Sequence, residues 1–333
     1  MGNTDLWQII IIGFGLITMF TGAYFSLTQK DIKRILAYAT VSALGILTLL
    51  TGIGTVLSVK AALFYLVVHA FYKATLFMIA GIIDKKTGTR DIYQLGSLWK
   101  RLPVTTLASI LSLASLASLP PMMGYISKKM IFEAQIQLFD EAPYLLIIGF
   151  LAFSFLFTVS VLIGYEVFFK KKNISLKENK KIGFALLVGP VILSVLSFIM
   201  AMFPDKFELL FEFAVESVKA KDINVNLKFW KGITNVFWLS LFSMVLGTIL
   251  FLLRRKVFLL FQWLNNYLDR FDLANVFLRM ITLLLYFMKK ITRVIQHGYH
   301  RFYLLSVFIV IGVILFFNYM QNGFWTFEKT ILP

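Results

Sequence analysis

The chain has no cysteine. Disulfides, thiolate metal sites, iron–sulfur clusters and cysteine nucleophiles are therefore excluded. Histidine is almost as scarce: the only three, at 69, 297 and 300, are too few and too scattered for a haem or zinc site. These absences imply no cofactor and no metal. They also leave no residue that could itself carry redox chemistry. Acidic residues are half as frequent as basic ones, 17 against 33. No basic region precedes the first apolar run, where Asp5 stands instead, so a cleaved secretory signal is not expected.

Apolar residues make up 59% of the chain, and the mean hydropathy is +0.81. Apolar runs recur at about the 20 residues that a helix needs to cross a bilayer. The expected fold class is therefore an all-α polytopic membrane protein, embedded in lipid. Charge-free spans fall at 6–29, 35–59, 103–127, 143–165, 182–203, 232–253 and 302–326, and 61–83, which carries charge inside it, makes eight transmembrane helices. The net charge of +16 would suggest nucleic acid in a soluble chain. Here the basic residues cluster between spans, so the excess reads as topology and contact with anionic lipid, with no nucleic-acid partner.

Those clusters alternate. Lys30, Lys33 and Arg34 follow span one; Lys85, Lys86, Arg90, Lys100 and Arg101 follow span three; the lysine run of 170–181 follows span five; Arg254, Arg255 and Lys256 follow span seven. The intervening loops hold Lys60 alone, the acidic pair Asp140 and Glu141, and the charge-balanced 204–231. The strongly basic loops are expected in the cytoplasm and the N-terminus outside. Residues 257–296 have no charge-free run long enough to span, but an apolar stripe recurs through Leu260, Leu264, Tyr267, Phe271, Leu278, Ile281, Leu285, Met288 and Ile295. This predicts a long amphipathic helix of roughly 60 Å lying along the cytoplasmic face or against neighbouring spans. The alternative is a ninth span around 273–288, with Arg279 reaching to the interface.

Ionisable groups within the membrane are expensive and usually mark an ion or proton path. His69 and Lys73 are four apart and share one helix face. Together they suit a proton relay; the simpler alternative is a snorkelling lysine and a histidine bonded to a backbone carbonyl. Pro120 and Pro121 interrupt the next span, since each removes a backbone donor and clashes with the preceding turn. Gly124 adds freedom to that break. Broken helices of this kind expose backbone dipoles at transport sites, and Lys128 follows seven residues later. The alternative is a plain kink with Lys128 and Lys129 at the outer surface. Lys33 and Arg34 read as positive-inside anchors, Tyr38, Thr40 and Ser42 as a water-lining or small-residue packing face, and Glu166 as a solvated partner of Lys170. Asn173 begins a glycosylation pattern in a loop expected to be cytoplasmic. The stretch from Asp84 to Gly88 lacks the glycine-rich frame of a phosphate loop.

Three ordered motifs carry a resemblance. They are Gln29-Lys30-Asp31-Ile32-Lys33-Arg34 continuing to Ser42; Ala61 to Phe77 with Val68-His69-Ala70-Phe71-Tyr72-Lys73 at its centre; and Leu119-Pro120-Pro121-Met122-Met123-Gly124 continuing to Lys128. The chain resembles the antiporter-like membrane subunits shared by Mrp-type cation/proton antiporters and proton-pumping NADH:quinone oxidoreductase. Asp84, the stretch from Thr87 to Asp91, Leu95 and Gly96 look most like the large A-type component of Mrp sodium/proton antiporters. The resemblance runs nearly the whole chain, through the amphipathic helix to Tyr303.

The resemblance implies proton-pathway roles for Lys73, His69 and Lys128, with Tyr65, Lys33 and Lys129 as secondary candidates and Pro120–Pro121 as the helix break. Tyr65 stands where the family often has a second histidine, and Lys129 where an acid commonly follows the broken-helix lysine. It implies a second five-helix repeat over 1–170, two further transmembrane helices over 171–253, an amphipathic lateral helix over 254–299 and a final span over 300–333. The family's first repeat and the C-terminal extension are not matched, so the resemblance implies a fragment of a longer product or a split subunit completed by another chain. The expected function is a membrane subunit of a multi-subunit Na+/H+ antiporter in a bacterial plasma membrane, with other membrane subunits, Na+ and H+ as its partners. Alternatives are a proton-translocating subunit of an NADH:quinone oxidoreductase-type complex, and a membrane scaffold or non-functional remnant.

Overall fold

The computed structural model describes residues 4–138, 140–172, 183–219, 232–254, 256, 259, 273–295 and 300–322. It divides into two compact units, Met1–Trp263 and Leu264–Pro333. The first holds α1 (Asp5–Thr28), α2 (Ile32–Ile53), α3 (Val56–Thr87), a single turn α4 (Leu98–Arg101), α5 (Pro103–Leu116), α6 (Met123–Ile136), α7 (Pro143–Ile163), α8 (Phe184–Met202), α9 (Glu208–Lys219) and α10 (Asn235–Leu252). The second holds α11 (Leu273–Ile295) and α12 (His300–Asn322). Among the described residues the chain is all-α and polytopic. Seven helices are long and apolar enough to cross a membrane: α1, α2, α3, α7 extended to Phe169, α8, α10 and Tyr303–Met320 of α12. The eighth expected crossing is the discontinuous pair α5 and α6, each 14 residues long.

Local chemistry sets the helix ends. Asp31 caps α2 by accepting from the backbone N–H groups of Lys33 and Arg34 at 2.8 and 3.2 Å. Thr55 caps α3 through the Ser58 N–H at 3.1 Å. Gly54 and Gly88 end α2 and α3 in the left-handed conformation, with φ of 66° and 76°. Pro103 and Pro143 occupy the first turns of α5 and α7, where no intrahelical donor is lost. α2 thus begins three residues earlier than the charge-free run suggests, and α3 runs on to Thr87.

α1 and α2 lie close along each other because small residues face the contact. A side chain at Gly45 would run into the Met19 backbone, and Ser42 donates to the Met19 carbonyl at 2.8 Å. Of the two readings of Tyr38, Thr40 and Ser42, the helix-packing one therefore describes Ser42, while Thr40 bonds within its own helix at 3.0 Å. The outward faces of α1 and α10 present Leu6, Ile9, Phe14, Trp238, Phe242 and Val245. Such continuous exposed apolar surface suits lipid.

The loops that follow the first, third, fifth and seventh crossings meet on one side of the first unit. Ile92 N–H donates to the Lys30 carbonyl at 3.0 Å and Ile32 N–H to the Arg90 carbonyl at 2.9 Å. Ser97 N–H reaches the Lys170 carbonyl at 2.9 Å, and Arg254 pairs with Glu166 at 3.7 Å. Four basic clusters therefore share a face, which agrees with the charge alternation. A cysteine placed at Lys86 is expected to react with an impermeant thiol reagent only from the cytoplasmic side. Labelling confined to the external side would reverse the orientation.

Three expectations change. Residues 204–231 do not form a plain loop, because α9 packs there with Phe211 and Val215 buried, the Phe211 ring 4.9 Å from Phe64 of α3. Glu208, Glu212 and Glu216 interleave with this apolar face and hide it from a count of charge-free runs. Glu166 is not solvated but 1% exposed, bound to Lys170 at 2.5 Å as well as to Arg254. It lies in Gly164–Phe169, where α7 widens to π-helical bonding. Burial, with the Glu166 carboxylate nearby, holds the Tyr93 phenol in the adjoining loop above its usual pKa. Finally, α6 continues the broken helix to Ile136, beyond the predicted end at 127.

Leu273–Ile295 is one helix whose 23 residues include Arg279, Lys289, Lys290 and Arg293. It is not among the helices apolar enough to cross a membrane, which favours the amphipathic expectation over a ninth span. The first part of that predicted helix, the lysines beyond 172 with Asn173, and the end of the last span lie outside the described residues.

Candidate functional site

Lys73 sits at the centre of α3 and is 5% exposed. Its ammonium donates to the Leu36 carbonyl of α2 at 2.7 Å and lies 6.0 Å from the Phe77 ring. Among the described residues no carboxylate pairs with it. One turn earlier His69 is also buried, and its Nδ1 lies 2.9 Å from the Tyr72 hydroxyl. Tyr72 in turn approaches the Tyr65 hydroxyl at 3.3 Å. Tyr65, Tyr72 and His69 thus form one connected hydrogen-bond chain. The sequence analysis names His69 and Tyr65 but overlooks Tyr72, three residues past His69 and seven past Tyr65. That spacing is the available signal.

The break between α5 and α6 spans 117–122. Ala117 N–H still closes onto the Leu113 carbonyl at 2.8 Å, Leu119 N–H returns to Ala114 at 2.9 Å, and Met122 N–H bonds to Leu119 at 2.9 Å. The Pro120–Pro121 peptide bond is cis. Gly124 is required by close approach and not by freedom: a side chain there would occupy the Ser115 carbonyl of α5. Its φ is not among the positive ones.

Lys128 is 1% exposed and Lys129 is 5% exposed, so neither lies at an outer surface. The Lys128 ammonium donates to the Ser240 carbonyl of α10 at 3.3 Å and faces the rings of Phe132 and Phe153 at 5.8 and 5.7 Å. Lys129 points elsewhere, its ammonium 5.5 Å from the Tyr125 ring. The hydroxyls of Ser112 and Ser115 in α5, Ser127 in α6 and Ser240 in α10 are buried without hydrogen-bond partners among the described residues. Buried polar groups of this kind are normally satisfied by water. Of these serines, Ser127 directly precedes Lys128 in α6, and Ser240 is the residue whose carbonyl its ammonium meets.

Lys33 stands apart from this interior. It pairs with Asp84 at 2.8 Å in a part-exposed cluster that Arg90 joins, 3.5 Å from Asp31 and 3.8 Å from Asp84. The fold brings α3 against α6, but among the described residues no hydrogen bond links Lys73 or His69 to Lys128. Among the described residues Lys73, on a continuous helix, and Lys128, just past a helix break, are thus buried separately, with Lys129 buried beside Lys128 in the sequence.

Among the described residues the first unit is thus a bundle of apolar helices with Lys73 and Lys128 buried inside it and a helix broken before Lys128. Residues 2–158 match the family described as "NADH:quinone oxidoreductase/Mrp antiporter, TM". That stretch, just under half of the chain, is similar to the transmembrane domain of that family. It is 32% identical over 282 residues to the Na(+)/H(+) antiporter A-type component of Alkalihalophilus pseudofirmus, which covers 75% of this chain and 35% of the relative. It is 40% identical over 175 residues to a probable K(+)/H(+) antiporter A/B-type component of Rhizobium meliloti, which covers 51% of this chain and 17% of the relative. The fold is similar to a chain in the structure of the Mrp complex from a Dietzia species, with a TM-score of 0.76 at 22% identity, over 96% of this chain and 34% of that one. The chain thus spans about a third of the length of the first of these relatives.

Proposed function

We propose that this chain is a membrane subunit, or part of one, of a multi-subunit monovalent cation/proton antiporter in a bacterial plasma membrane, and that it supplies a proton half-channel of buried lysine and histidine. The observation that carries this reading is Lys128, 1% exposed and, among the described residues, meeting a backbone carbonyl and aromatic faces but no carboxylate. Taking an ammonium out of water without a counter-ion is costly and is retained where the charge is used. Support also comes from the relatives, which are named as components of sodium/proton and potassium/proton antiporters.

In this mechanism a proton enters from the basic face along water and reaches Lys73, and the Tyr65–Tyr72–His69 hydroxyl and imidazole groups, which precede Lys73 in α3 and so lie away from that face, extend the relay beyond it. A histidine can accept a proton on one ring nitrogen and release one from the other, so it passes protons without turning over. Water held by the buried serine hydroxyls of α5 and α6 then links Lys73 to Lys128. Each lysine changes charge as it gives up or takes back its proton, and the resulting change in field is felt by a cation in an adjoining part of the complex. Lys33 and Asp84 lie near the entry, on the basic face.

Everted membrane vesicles carrying the complete complex provide the test. Adding Na+ or K+ should collapse a preformed proton gradient, and removing this chain should abolish that response while respiration-driven gradient formation stays unchanged. Cation-driven exchange that persists without the chain would overturn the antiporter reading. Loss of NADH-driven proton pumping instead would favour a respiratory complex.

A further inference from the structure

Seven residues past Lys128, roughly two turns further along α6 and on the same face, stands Gln135. It is 0% exposed, and neither Oε1 nor Nε2 has a hydrogen-bond partner among the described residues. A primary amide offers two donors and a two-lone-pair acceptor, and a protein interior seldom leaves them all unmet. The neighbouring helix makes room for it: a side chain at Gly149 of α7 would press on the Gln135 Oε1 at 2.5 Å. The pair lies toward the Asp140–Glu141 loop, on the side of the bundle opposite the basic loops.

Between the ammonium and the amide stand two aromatic rings. Phe132 is one turn past Lys128 and nearly one turn before Gln135; Phe153 is one turn from Gly149 on the antiparallel α7. Their centroids are 5.3 Å apart, edge to face at 74°, and both side chains are buried. The ammonium touches these rings on one side, while its hydrogen bond goes to α10 on another. Closely packed rings exclude water, and a constriction of this kind stops ion and proton movement by staying dry.

We propose that Gln135 is the water-binding station on the far side of Lys128, and that the Phe132–Phe153 pair is a dry gate between the two. This rests on Lys128 being a proton-carrying group. When the rings part, water held by the Gln135 amide meets the ammonium, takes a proton from Nζ and leaves a neutral amine. When the rings close, the amine can be reprotonated only from the Lys73 side. Such a gate keeps the two halves of the path from conducting at once.

The chain has no native cysteine, which allows a direct accessibility test in the assembled complex. Gln135→Cys should react with a small charged thiol reagent applied from the face opposite the basic loops. Lys128→Cys should be protected from that face and become reactive when combined with Phe153→Ala. Gln135→Leu should lower cation-driven proton flux by at least about tenfold, as expected for a water station replaced by an apolar side chain, whereas Gln135→Asn should retain most of it. Co-purification of the partner subunits establishes assembly. If Gln135→Leu does not assemble, the cysteine labelling decides alone. Gln135→Cys unreactive from that face, or Lys128→Cys as reactive as Gln135→Cys with both phenylalanines intact, would overturn the gate. The underlying role of Lys128 fails separately, if Lys128→Ala transports normally.

Discussion

Lys128→Ala in the complete complex is expected to abolish cation-dependent proton flux in membrane vesicles while the complex still assembles. Among the described residues the ammonium meets Phe132, Phe153 and the Ser240 carbonyl, so its removal takes away a desolvated charge and breaks no ion pair with them. Loss of packing from the aliphatic stem is the remaining cost, and it is spread over well-packed neighbours. Transport has no such substitute, because alanine cannot hold a proton. Lys128→Arg sharpens the test, since a guanidinium keeps the charge but does not release its proton in proteins. Both variants should fail in gradient-collapse assays while co-purifying with their partners. Wild-type flux in either would remove Lys128 from the pathway.

Arg254→Ala is expected to destabilise the first unit by about 1–2 kcal/mol, less than the cost of stranding a buried charge altogether, because Lys170 remains beside the Glu166 carboxylate. Glu166 is 1% exposed, and its carboxylate is held by Lys170 and Arg254, whose side chains are 31% and 27% exposed. The guanidinium also lies 4.7 Å from the Phe251 ring and 5.3 Å from the Tyr165 ring, which fixes it over the end of α7. Removing it leaves the carboxylate with one partial partner and loosens α10, the helix that supplies the Ser240 carbonyl to Lys128. A lowered melting temperature in detergent checks the expectation. Glu166→Ala combined with Arg254→Ala should cost less than the sum of the two single changes, because the second change removes a group already stranded by the first. Strict additivity would show that the pair is not coupled.

Much of the candidate site is legible in the amino-acid sequence. His69 and Lys73 stand out as ionisable groups in an apolar run, and Pro120–Pro121 as a point where a helix has to break. Burial of Lys128 is not legible there, because a lysine seven residues past a break can equally reach a membrane surface. The Leu36 and Ser240 carbonyls that receive the two ammonium groups belong to other helices, and periodicity along one helix says nothing about them. The expected solvation of Glu166 fails for the same reason: Lys170, four residues away, is visible along the chain, but Arg254 becomes a neighbour only when α10 packs against α7. Gly124 reads as flexibility, whereas the fold uses its missing side chain as space for the Ser115 carbonyl.

That this is a multi-pass helical membrane protein follows from sequence alone. Bilayer thickness sets the length of each apolar run, and the distribution of lysine and arginine sets which loops share a side. Both are local properties, readable residue by residue. Which polar groups meet in the interior is settled by the packed bundle: the Tyr65–Tyr72–His69 chain, the carbonyl that receives each lysine, and the aromatic pair that stands between Lys128 and Gln135. Where helices are apolar on nearly every face, hydropathy does not choose the partners. Close packing of small residues and the need to satisfy each buried polar group do.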